Sequence, residues 1–252
     1  IIYVGKNKNF DANKVIDATD KAVSPGFINM LSWAYNSLMD DGRSLSDLKQ
    51  GVTLEVFGEG TSPGPSGNIK DNSYVSFGEA MQKLEDNGVS PNIASYLGAA
   101  TVRIQEIGYA NRKATDEEME SMRDIVKSAM EEGAIGIGSS LIYAPGDYAD
   151  TDELVELSKV ASSYGGRYIS HMRNEDSRIL SAVDELIEIA EKADIPAEIY
   201  HLKASRKANY HLLDSVISRV EEARSRGLKI TADMYTYTAS STGLTGVIPT
   251  WV

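Results

Sequence analysis

The chain contains no cysteine. Disulfides and thiolate ligands are therefore excluded, and any bound metal must be held by His, Asp, Glu or a modified Lys. Histidine is also scarce, with three in 252 residues. No apolar run approaches the roughly 20 residues that span a bilayer, so no membrane partner is expected. Cations are outnumbered, 25 Lys and Arg against 37 Asp and Glu, a formal net charge of -12. A phosphate-backbone partner needs a basic face, so nucleic acid is excluded as well. Low-complexity tracts, short repeats and long linkers are missing too. None of these absences fixes a compartment or an oligomeric state. A soluble protein, cytoplasmic or exported, fits them equally.

The composition is that of a globular chain: 42% hydrophobic and 25% charged residues leave enough apolar surface for a sizeable core. Short apolar runs alternate with longer amphipathic segments. Strands are expected at 23–28, 52–57, 93–97, 134–137, 168–171, 197–201 and 228–234. Helices are expected at 45–50, 76–87, 115–132, 151–165, 176–192 and 209–226, several closed by a glycine such as Gly88 or Gly133. Thr115-Asp116-Glu117-Glu118 reads as a capping box. Residues 61–72, rich in Gly, Pro, Ser and Asn, read as loop, and Asn7–Asn9 as a turn. Strands alternating with helices imply parallel βαβ units and a (β/α) barrel of six or seven staves. A doubly wound sheet is the rival, but no G-x-G-x-x-G follows the first strand. The apolar ends, Ile1–Gly5 and Gly246–Val252, read as the middle of elements, so the chain is expected to continue past both.

In such a barrel the C-terminal ends of the strands face one site. His171 and His201 both stand at strand ends, one βα unit apart. Two imidazoles and a carboxylate make a zinc site with a position left for water, so the pair is read as metal ligands rather than as two core histidines. His211 falls inside a helical segment and reads as a surface or capping residue. Glu59, between Gly58 and Gly60, is either a third ligand or a solvated loop glutamate. Asp233 is a ligand, a partner of a histidine or a cap. Lys203 and Arg173, two residues past the histidines, would clamp an anionic group or form a solvated rim. Tyr235, Tyr237 and Ser241 offer hydroxyls on the same face or merely pack.

The runs SPGFIN (24–29), QGVTLEVFGEG (50–60), GAIGIGSSLIYAPGDYADTDEL (133–154), YISHMRNE (168–175), IYHLKAS (199–205) and ADMYTYTASSTGL (232–244) together resemble the N-acyl-D-amino-acid deacylases of the amidohydrolase superfamily. The resemblance runs along nearly the whole chain. It implies a distorted TIM barrel over residues 25–252, lacking its last strands, with residues 1–24 as part of a small β-domain. It implies zinc on His171 and His201, which with Glu59 in place of the family's cysteine would make a site for one ion, and hydrolysis of the amide bond of an N-acyl-D-amino acid by a zinc-activated water. Tyr235 or His201 would stabilise the developing oxyanion. Lys203, Tyr235 and Ser241 would contact the substrate carboxylate or scissile carbonyl; Asp147 and Tyr148 would either help form the pocket mouth or, the stronger reading, only make the turn that leads to the helix cap at Thr151. The family's general base is expected beyond residue 252. Two departures stand out. Where the family carries His-x-His after its first strand, this chain has Leu31 and Trp33, which cannot ligate zinc, and where the family has a cysteine ligand it has Glu59. The missing pair weighs against a cyclic-amide hydrolase of the dihydroorotase or hydantoinase kind. It favours a catalytically inactive binding barrel, which the two strand-end histidines oppose.

Overall fold

The β-branched run Val52–Phe57 forms strand β2 and sets the frame of the molecule. The computed structural model describes residues 3–6, 11–68 and 72–248. The expected turn at Asn7–Asn9 and the last residues, 249–252, lie outside the described residues. The elements run β1 (Phe27–Asn29), α1 (Tyr35–Asp40), α2 (Leu45–Leu48), β2, α3 (Phe77–Asn87), β3 (Asn92–Ser95), β4 (Leu97–Gly98), α4 (Ala99–Glu106), α5 (Asp116–Glu131), β5 (Gly136–Ser140), α6 (Thr151–Ser163), β6 (Arg167–His171), α7 (Ile179–Lys192), β7 (Ala197–Ile199), α8 (Leu213–Ser225) and β8 (Ile230–Ala232). The structure is thus α/β, and every strand pair is parallel.

The strands form two sheets in chain order, β1-β2-β3 and β4-β5-β6-β7-β8. The expected strand at 93–97 is the seam between them. It breaks at Tyr96, whose N–H donates to the Phe57 carbonyl at 2.9 Å, while the Ser95 carbonyl accepts from Ile135 N–H at 3.1 Å. β3 and β4 are therefore one stave that leans first on β2 and then on β5, which gives seven staves among the described residues. Successive strands joined by helices and lying side by side is the arrangement expected of a (β/α) barrel.

Side chains alternate along each stave. Ile137, Tyr168 and Ile199 point outward into the main core, where they meet Met122, Val126, Leu154, Leu157, Val183 and Val216 from the helices. Val56, Tyr96, Ile169 and Tyr200 point inward and fill the interior. The next inward positions, toward the strand ends, are Ser140 and His171, paired in register across β5 and β6. The same alternation that packs the core therefore delivers polar side chains to the upper end of the barrel. α5 begins with the expected capping box: Thr115 accepts from Glu118 N–H, and Glu118 returns the bond to Thr115 N–H.

Three expectations are corrected at element ends. The helix expected from 176 starts at Ile179, because the Asn174 side chain accepts from the N–H groups of Asp176 and Arg178 and holds a turn there. The helix expected from 209 is a 3-10 turn over Lys207–Leu212 before α8. A further helix, α4, occupies what read as connection. Residues 3–6 and 11–24 show no helix or strand and are almost wholly exposed, so their place in a small β-domain stays an expectation. Among the described residues no helix is long and apolar enough to cross a membrane.

Candidate metal centre

Glu59, His171 and His201 converge at the C-terminal ends of three staves, with one donor atom from each lying within 4.8 Å of the others. Glu59 comes from the turn after β2. Gly58 has φ of 106° and Gly60 of 71°, and a Cβ would come 2.3 Å from the Tyr96 carbonyl oxygen at the first and 2.8 Å from Ser140 Cβ at the second. Only glycine fits both positions, and the bend they make turns the intervening carboxylate inward. It is 8% exposed. His171 is the last residue of β6 and is 7% exposed.

His201 follows β7 by two residues and has φ of 38°, a conformation a residue with a Cβ rarely adopts. Asp233, just past β8, holds it there. Its carboxylate accepts from His201 N–H at 2.6 Å, and its carbonyl accepts from Leu202 N–H at 3.0 Å. Asp233 therefore meets His201 through its backbone N–H and not its imidazole. Burial pushes the Asp233 carboxyl up to about 6 despite that bond.

His171 Nδ1 lies 2.9 Å from Glu59 Oε1 and 3.0 Å from His201 Nε2, and His201 Nε2 lies 3.6 Å from Glu59 Oε1. The imidazole rings stand nearly perpendicular, at 84° with centroids 4.4 Å apart. Tetrahedral zinc with bonds of about 2.0–2.2 Å separates its donors by roughly 3.3–3.6 Å, so this spacing suits the ion with small adjustments. The outward nitrogens differ. Glu175 Oε1 is 2.9 Å from His201 Nδ1, while its Oε2, 4.0 Å from His171 Nε2, is beyond hydrogen-bonding distance. The His171 Nε2 is buried without a hydrogen-bond partner. A carboxylate behind a ligating imidazole fixes its tautomer and turns its lone pair toward the metal. The residues present therefore fit zinc.

Burial works against the charge on Glu59, but hydrogen bonds from His171, His201 and Trp33 hold its carboxyl down to about 2. Burial likewise opposes protonation of His201, and the carboxylates of Glu175 and Glu59 outweigh it, raising the imidazole to about 9. Glu175 is held low against its burial by His201 and Lys203.

No family model matches the chain. D-aminoacylase of Alcaligenes xylosoxydans xylosoxydans is 30% identical over 257 residues, covering 97% of this chain and 53% of the relative. The crystal structure of a D-aminoacylase that defines a novel subset of amidohydrolases matches with a TM-score of 0.74 at 28% identity, over 84% of this chain and 48% of that one. Along nearly its whole length the chain is thus similar to D-aminoacylase-like amidohydrolases. The N-acyl-D-glutamate deacylase of Bordetella bronchiseptica, solved with zinc and a phosphonate mimic of the tetrahedral intermediate, matches with a TM-score of 0.77 at 25% identity, over 84% and 48% of the two chains. The chain spans about half the length of the curated relatives it matches.

Around the three donors, the other residues picked out in the sequence separate into two groups. Lys203, Asp233, Tyr235, Tyr237 and Ser241 line one open cavity of about 1500 Å³ together with the three donors. Lys203 Nζ stands 5.6 Å over the Tyr235 ring and pairs with Glu175 at 2.6 Å. Arg173 does not line this cavity. Its guanidinium donates to Glu185 and to the carbonyls of Asp147 and Ala149, fastening the loop after β5 to α7. His211 is exposed in the 207–212 turn. Sequence reasoning missed Glu175 and the role of Trp33, whose indole N–H donates to Glu59 Oε2 at 2.8 Å. The signal for Glu175 was its place four residues past a strand-end histidine. Nothing local marks Trp33.

Proposed function

We propose that this chain carries the metal-binding half of a hydrolase for the amide bond of N-acyl-D-amino acids, with one zinc ion per chain on Glu59, His171 and His201. The observation that carries the reading is the convergence of these three donors at the upper ends of parallel staves in a chain similar to D-aminoacylases. When bound, zinc supplies a Lewis acid and a water whose pKa falls toward neutrality.

The protein groups around it have separable tasks. Glu175 holds His201 through Nδ1 and neutralises Lys203, so both side chains face the cavity in fixed positions. Asp233 pins the His201 backbone in its strained conformation. Lys203 presents the cation at the cavity wall that suits a substrate carboxylate, and Tyr235 and Ser241 present hydroxyls to the carboxylate or the scissile carbonyl. Tyr235 beside His201 is the group placed to steady negative charge on that carbonyl oxygen, their ring centroids being 6.4 Å apart. Arg173, drawn to the loop after β5, shapes the cavity mouth from outside.

Metal content by plasma mass spectrometry, beside hydrolysis of N-acetyl-D-amino acids, tests the reading. About one zinc per chain, lost in both His171→Ala and His201→Ala, is the expected result. Lys203→Met should keep the zinc and lower kcat/KM by roughly 10- to 150-fold, the worth of one charged hydrogen bond. Folded protein that takes up no zinc from supplemented medium would refute the assignment.

A further inference from the structure

The two oxygens of Glu59 have different partners. Oε1 faces His171 and His201, at 2.9 and 3.6 Å, and is the oxygen that joins the donor cluster. Oε2 accepts from the indole N–H of Trp33 at 2.8 Å. Trp33 sits on the loop after β1, where the Ser32 N–H bonded to the Val56 carbonyl ties that loop to β2. The carboxylate is 9% exposed, so both oxygens are largely shielded from water and their partners decide what each can do.

A carboxylate can bridge two cations, one on each oxygen. It can also grip one cation with both. An N–H donor on Oε2 blocks both options, because a cation there would meet the positive end of the N–H dipole. Nearby side chains offer no replacement: Met30 and Leu31 line the same wall, and among the described residues no second group of three His, Asp or Glu donors exists. We infer that Trp33 is a positioning residue which confines Glu59 to a single donor oxygen and so fixes the site for one metal ion. This rests on the reading of the cluster as a zinc site.

Trp33 is 61% exposed, so Trp33→Phe keeps the ring and removes the N–H without emptying a core position. Two measurements on the full chain test the inference. In ¹⁵N-labelled protein without metal, the Trp33 indole N–H resonance, distinguished from that of the other tryptophan by Trp251→Phe, should lie downfield and move upfield in Glu59→Ala. Zinc titration by calorimetry should give one ion for the natural chain. For Trp33→Phe it should give an affinity roughly 10- to 100-fold lower, the usual loss when a ligand's outer partner is removed, or a second ion. One ion at unchanged affinity in Trp33→Phe, with binding lost in His171→Ala, would overturn the role of Trp33 and leave the zinc site standing. No zinc bound by the natural chain, even with the indole resonance responding to Glu59→Ala, would overturn the zinc reading and this inference with it.

Discussion

Glu175 ties His201 to Lys203 and to the loop after β7. One of its oxygens lies 2.9 Å from His201 Nδ1, both meet Lys203 Nζ at 2.7 and 2.6 Å, and its backbone carbonyl accepts from Ser205 N–H at 2.6 Å. Glu175→Gln keeps the size and one acceptor but removes the charge that orders His201 and Lys203. Zinc affinity by calorimetry should fall roughly 10- to 100-fold with the fold retained, and an unchanged affinity would show that the histidines orient themselves. The residue scale also shows what a sequence can disclose about such a site. His171 and His201 were legible because each ends an apolar strand, and a strand end in a barrel has a known direction. Glu59 was ambiguous because a glycine-flanked glutamate looks the same whether it bends inward or into solvent. The deciding contacts, Tyr96 against Gly58 and Ser140 against Gly60, come from strands 38 or more residues away in the chain. Trp33 was legible only as a residue that cannot ligate. Its use as a donor depends on Glu59, 26 residues on, folding back beneath it.

At the scale of elements the alternation of strand and helix was readable throughout, because the period of the apolar pattern is local. The ends of elements were less so. α7 starts three residues late because the Asn174 side chain competes for backbone N–H groups, and the strand at 93–97 breaks because Tyr96 pairs with β2 while Leu97 pairs with β5. The capping box of α5 was read correctly and supports two predictions. Thr115→Ala should cost about 1 kcal/mol in urea unfolding, the ordinary worth of an N-cap. Glu118 adds a charge effect. Hydrogen bonds from the Arg112 guanidinium, with those at Thr115, hold its carboxyl down to about 2 in the folded state, below its ordinary value of 4.5. A carboxyl lowered on folding stabilises above its unfolded pKa and loses that contribution as pH falls through the folded one. Glu118→Gln keeps the cap geometry, so the gap in unfolding free energy between it and the natural chain should be open at pH 6, shrink below about pH 4.5 and close near pH 2. The pair is exposed and screened, so the same gap should narrow in 1 M salt. A gap independent of pH would assign the effect to capping alone.

The described residues form two parallel sheets joined along one stave, and the three candidate metal ligands divide between them. Glu59 follows β2 of the three-stranded sheet, while His171 and His201 end or follow β6 and β7 of the five-stranded one. Within the protein itself that junction is made by hydrogen bonds at Tyr96 and by the small interior cluster of Val56, Tyr96, Ile169 and Tyr200. A zinc ion on all three donors would therefore clamp one sheet to the other at the upper end of the barrel, opposite the buried interior that holds the lower end. Such a ligand binds the folded chain and finds no assembled site in the unfolded one, so it stabilises by mass action. At free zinc about 100 times Kd the gain is about 2.7 kcal/mol. For a chain of this length each kcal/mol is worth roughly 2–4 °C, so Tm should rise by about 5–10 °C, fall back on chelation, and not respond to zinc in Glu59→Ala or His201→Ala. The two variants probe opposite sheets, and that makes the comparison decisive. If zinc still stabilises Glu59→Ala while failing with His201→Ala, the ion sits on the histidine sheet alone and the clamp is wrong. If both variants lose the response, the two sheets share the ion, and the turn Gly58-Glu59-Gly60 is the hinge through which metal binding reaches the fold.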